Sequence, residues 1–185
     1  SNYKFNETYH IKEDKLEKYL LPIYKIFRGR YPIPKRNKLY KSIINDLMEK
    51  DFDAVIVNTR FHLTSFVGAK FGKKKGIPVF LIEHGSQHLT VNNKILDYFG
   101  SLYEHWLTKR VEKYVDYNYG VSKEACKWQK HFGIESDGVW YNSINDFSKR
   151  RKIQKDNDKF IYLYAGRLLK QKGEELSPYV AKTKH

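Results

Sequence analysis

Four short apolar runs, spaced so that each gap can hold a helix, constrain this chain more than any other feature. They occupy residues 52–58, 79–83, 117–121 and 139–141. Between the first two, residues 59–75 suit a helix that opens at Thr59-Arg60-Phe61, and Gly76 and Pro78 punctuate its end. Parallel strands need a crossover of this length, usually helical. A parallel sheet covered on both faces also turns alternating apolar residues into continuous runs, as at Val79-Phe80-Leu81-Ile82-Glu83. Residues 95–114 predict a long helix with Leu96, Phe99, Leu102, Tyr103, Trp106, Leu107 and Val111 on its inner side. Ser122 is expected to cap a helix reaching about residue 132, its hydroxyl accepting an orphan backbone N–H. The pattern predicts an α/β fold, a Rossmann-like parallel sheet with helices on both faces.

Ahead of this unit, Leu16, Tyr19, Leu20, Ile23, Tyr24 and Phe27 recur at spacings of three and four, which predicts an amphipathic helix over residues 12–27. Gly29, Pro32 and Pro34 interrupt the chain before a second helical pattern, Leu39, Ile43, Ile44, Leu47 and Met48, ending near Lys50. At 185 residues the chain can bury a real core without disulfide or metal staples. The lone Cys126 excludes an intrachain disulfide and a multi-cysteine zinc site, agrees with a reducing compartment, and is expected as a buried structural thiol. No run approaches the roughly 20 apolar residues that cross a bilayer, and no signal peptide opens the chain. A cytoplasmic location is therefore expected.

The 35 Lys and Arg outweigh 21 Asp and Glu, a formal charge of +14 densest in residues 35–41, 70–75 and 148–155. Such charge favours polyanionic partners. Solubility accounts for scattered lysines, and peripheral contact with an anionic membrane surface, on its inner face, is the next reading. Nucleic acid is not expected, because the histidine at a strand edge points to a small-ligand site instead.

That histidine is His84, followed by Gly85, at the carboxyl end of a predicted strand, where open α/β sheets bind ligands. Glu83 is expected either to orient His84 or to cap the adjoining turn, with orientation favoured. Arg60 follows the first strand at the same sheet edge. A helix-start arginine opposes the helix dipole, so approach to an acceptor or phosphate is a role to weigh for it. Near the C-terminus an apolar run breaks into Gly166-Arg167, followed by Lys172-Gly173, an arrangement suited to holding phosphate through close backbone approach, a guanidinium fork and a mobile ammonium. Asn142 and Asn145 fall in a turn, where asparagine tolerates left-handed backbone, and a helix cap accounts for Ser122. His62, His88 and His105 have no partner at metal-ligand spacing, so no protein-bound metal is expected.

Taken together, the histidine after a strand, the Val121-Ser122 junction, the turn Tyr141-Asn142-Ser143-Ile144-Asn145, and Gly166-Arg167-Leu168 with Lys172-Gly173 resemble a known family. It is the retaining nucleotide-sugar glycosyltransferases of family 4, which adopt the two-domain GT-B fold. The resemblance covers residues 50–173, with Ser143 and Asn145 standing where the family has glycine and aspartate. It implies transfer of a sugar from a nucleoside-diphosphate donor to a hydroxyl of a glycan or lipid-linked acceptor, in capsule or surface polysaccharide synthesis. His84 would face the donor sugar near the reacting carbon, Arg167 and Lys172 would neutralise the diphosphate, and no cofactor beyond the donor would be needed. Gly85, Glu83, Arg60, Ser122, Asn142 and Asn145 would line the cleft.

In these terms residues 1–147 would be an N-terminal, acceptor-side domain lacking its usual first strand. Residues 148–159 would be a solvated linker, and 160–185 the start of a truncated donor-binding domain. The family's spaced glutamate pair has no counterpart after Glu174 and Glu175. A chain so divided is expected to transfer little or no sugar by itself. The alternative is a noncatalytic module, derived from one GT-B half, that binds acceptor, membrane or partner.

Overall fold

The computed structural model describes residues 10–14, 16–26 and 31–143. The chain divides into two compact units, 1–143 and 144–185, and all described residues belong to the first.

The N-terminal segment corrects the helix expected over residues 12–27. Strands β1 (His10–Glu13) and β2 (Leu16–Tyr19) form one antiparallel hairpin, and β3 (Ile23–Ile26) and β4 (Tyr31–Pro34) form another. Pro22 explains the difference: it lacks the N–H a helix interior needs and drives Leu21 out of helical backbone angles. The tyrosines and isoleucines of the segment then favour strand. Asp14 takes a φ of 46° in the first turn, a conformation aspartate tolerates. In β4, the Tyr31 hydroxyl donates to the Phe61 carbonyl at 2.6 Å and lies 2.7 Å from the Tyr103 hydroxyl. The second hairpin is thereby tied to the region that carries the sheet edge.

The second predicted helix is α1 (Lys38–Glu49), capped by Asn37, whose side chain accepts from the Tyr40 amide at 2.9 Å. The central unit then runs β5 (Val55–Asn58), α2 (Leu63–Lys75), β6 (Val79–Glu83), α3 (Lys94–Glu112), β7 (Tyr117–Gly120), α4 (Lys123–Lys130) and β8 (Gly138–Val139). The four strands pair in the order β5-β6-β7-β8, all parallel, and helices flank them as the apolar runs predict. Val57 lies opposite Leu81, which lies opposite Asn118, so Val55, Val57, Val79, Leu81 and Glu83 share one face.

That face makes the core with Ala69 of α2 and Leu107 and Val111 of α3. Gly72 of α2 sits so close to the sheet that a Cβ there would meet Val79 Cγ2 at 2.5 Å. Gly76 ends the helix in left-handed backbone, φ 71°. The opposite face carries rings: Phe80 stacks on Tyr117 with centroids 4.9 Å apart, and Trp140 meets Tyr119 edge-on.

The inner stripe predicted for α3 is only partly inside. Leu107 and Val111 are buried, but Phe99 is 62% and Trp106 48% exposed, and Leu96 and Leu102 are exposed as well. A 19-residue helix spans about 28 Å, whereas the five-residue β6 spans about 17 Å. The first half of α3 therefore extends past the strands' carboxyl ends, with no strand among the described residues to cover it. Cys126, expected to be buried, is half-buried, its thiol donating to the Gly138 carbonyl at 3.3 Å.

Candidate functional site at the carboxyl edge of the sheet

Asn58 ends β5, His84 follows β6, and Ser122 follows β7, so the parallel register brings these side chains to one edge. His84 is exposed, and its Nε2 lies 2.9 Å from Asn58 Oδ1. With that oxygen accepting, the imidazole proton sits on Nε2, and Nδ1 keeps a lone pair for a ligand hydroxyl. Asn58 escaped sequence reasoning; a polar residue closing an apolar strand was its only signal. Next to it, Thr59 takes a φ of 67°, a costly conformation for a β-branched residue. Its amide donates to the Ile82 carbonyl at 2.9 Å, which holds the strained turn against β6.

Beneath this turn lies a buried ionic network. Arg60 is wholly buried; its Nη1 donates to Glu83 Oε2 at 2.7 Å and its Nη2 to Glu104 Oε2 at 3.0 Å. The guanidinium also lies 3.9 Å from the centre of the Phe132 ring, a close cation–π contact. The remaining carboxylate oxygens hold backbone: Glu83 Oε1 accepts from the Gly85 amide at 2.6 Å, and Glu104 Oε1 from the Leu89 amide at 2.9 Å. Two expectations are corrected here. Arg60 does not line a cleft, because both arms of its fork are spent on buried carboxylates. Glu83 does not orient His84; it fixes the turn at Gly85. Charges of this kind stay inside a fold only when paired. The network therefore sets the shape of the edge while His84 and Asn58 present the accessible chemistry.

Ser122 caps α4 as predicted, its Oγ accepting from the Ala125 amide at 3.1 Å. Asn142 is exposed just beyond β8. Asn145, Gly166, Arg167 and Lys172 lie outside the described residues.

His62, the N-cap residue of α2, supports the same region. It is half-buried against Tyr31 and Phe61, and its Nδ1 has no hydrogen-bond partner among the described residues. Burial pushes its pKa below the usual 6.5, although Glu83 and Glu104 pull the other way. His105 is lowered too, by burial and then by repulsion from His131 and His88. The folded state thus binds fewer protons at these sites than the unfolded chain does. Their stabilising effect is full above the ordinary histidine pKa and is lost as pH falls through the lowered values. Thermal unfolding should accordingly shift to lower temperature between about pH 8 and about pH 5. The shift should be smaller in His62→Gln, and an identical shift in wild type and variant would count against this role for His62.

Fold and edge define an α/β protein whose four-stranded parallel sheet gathers Asn58, His84 and Ser122 at its carboxyl edge. Among curated proteins, the chain is similar to an uncharacterized glycosyltransferase of Methanocaldococcus jannaschii, 29% identical over an alignment of 187 positions that covers 93% of this chain. The chain spans 46% of that relative's length. No protein-family model matches the chain, and no solved structure does.

Proposed function

We propose that this chain is part of a glycosyltransferase and that its sugar-facing site is the carboxyl edge of the sheet at His84. The main support is the His84–Asn58 pair, an exposed imidazole held at 2.9 Å on an edge braced by buried charges. The similarity to a protein named as a glycosyltransferase supports sugar transfer as the chemistry of that edge. In this reading the donor is a nucleoside-diphosphate sugar and the parent enzyme is of the retaining GT-B type. Nδ1 of His84 accepts a hydrogen bond from a donor-sugar hydroxyl and so orients the sugar for attack by an acceptor hydroxyl. Arg167 and Lys172 stabilise the diphosphate as it leaves. The acceptor is a glycan or lipid-linked glycan of surface polysaccharide synthesis.

Calorimetry with a panel of nucleoside-diphosphate sugars tests this, applied to the 185-residue chain and to the protein expressed from its complete reading frame. The complete protein should bind one donor selectively. The chain alone, which spans 46% of the matched relative's length, should bind donors more weakly. If the complete protein selects no donor, the noncatalytic binding module becomes the better account.

A further inference from the structure

Three histidines that lie far apart in sequence converge beside the buried network. His88 comes from the loop after β6, His105 from α3 and His131 from the C-cap of α4, and one ring nitrogen of each lies within 4.8 Å of the other two. We propose that they form a binding site for a divalent transition-metal ion of the zinc class, with its fourth position open to solvent. This inference does not rest on the transferase reading. It departs from the metal-free expectation, which judged His88 and His105 by sequence spacing alone.

The distances suit such an ion. His88 Nε2 and His131 Nε2 are 3.3 Å apart. Two nitrogens bound tetrahedrally at zinc's usual bond length also stand about 3.3 Å apart. Small side-chain rotations of His105 would bring in the third nitrogen. Second, the proton on His88 is already placed for ligation. Its Nδ1 lies 3.0 Å from Glu104 Oε2, so the carboxylate keeps the proton on Nδ1 and turns the Nε2 lone pair toward the cluster. A carboxylate behind a ligating histidine is the usual support for such a ligand.

Third, the charge balance calls for a cation. Arg60 brings one positive charge against the two negative charges of Glu83 and Glu104. The buried trio is thus one charge negative on the side that faces His88. Rings fix the orientations: Trp128 stacks on His131 at 4.7 Å, and Phe132 packs against all three histidines. Ser101 Oγ, 3.2 Å from His88 Nε2, can donate to that lone pair when no metal is bound. His131 is exposed, which leaves the outer side of the cluster open for a water ligand. A bound ion would pin the loop that follows His84 to both α3 and α4.

Titration of the untagged 185-residue chain with cobalt(II), followed by visible absorption, tests the site. The expected result is saturation at one ion per chain with the intense bands of tetrahedral coordination, displaced by zinc. His131→Gln and His105→Gln should each weaken binding by about tenfold or more, while His10→Gln should not. His131 sits at an exposed helix end, so its variant should keep the wild-type circular dichroism and remain informative if His105→Gln misfolds. No saturable binding, or equal binding by wild type and His131→Gln, would overturn the proposal. In that case the Glu104–His88 pair is only an ionic contact.

Discussion

Arg60→Met is expected to cost the fold about 3–5 kcal/mol, enough to remove much of a typical domain's net stability of about 5–15 kcal/mol. The guanidinium answers two carboxylates that are themselves buried, at 2.7 and 3.0 Å, and those carboxylates hold the Gly85 and Leu89 amides. Methionine preserves much of the volume but leaves Glu83 and Glu104 buried beside each other without a cation. Lysine should also fail, since a single ammonium cannot fork between two acceptors. The companion variant Arg60→Met/Glu83→Gln/Glu104→Gln removes the unpaired charges and should recover part of the loss. Urea unfolding of the wild type and these three variants measures this. A single Arg60→Met variant as stable as wild type would show that the network does not brace the edge.

His84→Ala should have the opposite profile. The side chain is exposed and its hydrogen bond is to an exposed Asn58, so the unfolding midpoint should stay where it is. Sugar transfer by the complete protein should nevertheless fall by about 100-fold or more, because loss of a positioning contact misaligns the reacting atoms. Donor affinity should fall much less than turnover if the diphosphate is held elsewhere. Equal losses of stability and activity would instead mark His84 as structural.

The sheet was legible in the sequence because each strand's apolar run and each helix's period are local signals, closed off by Gly76, Pro78 and the Ser122 cap. The N-terminal hairpins were not, because spacings of three and four also arise in short paired strands, and Pro22 had to outweigh them. The overhang of α3 was hidden for another reason: periodicity identifies an apolar stripe but not how far the sheet beneath it extends.

At the site, His84-Gly85 could be read as a strand ending at a turn, whereas the role of Arg60 depends on partners 23 and 44 positions away. Nothing local in the sequence joins Arg60 to Glu104, or His88 to His131. Such pairings exist only once the parallel register and the helix crossings are set.

The most direct test of the sheet edge as a sugar-transfer site is turnover. The protein from the complete reading frame should be given radiolabelled nucleoside-diphosphate sugars and a glycan or lipid extract as acceptor, with His84→Ala assayed in parallel. Label is expected in an acceptor product for one donor, reduced about 100-fold or more by His84→Ala while the fold is retained. Transfer that is equally fast in wild type and His84→Ala, or no transfer from any donor, would contradict it.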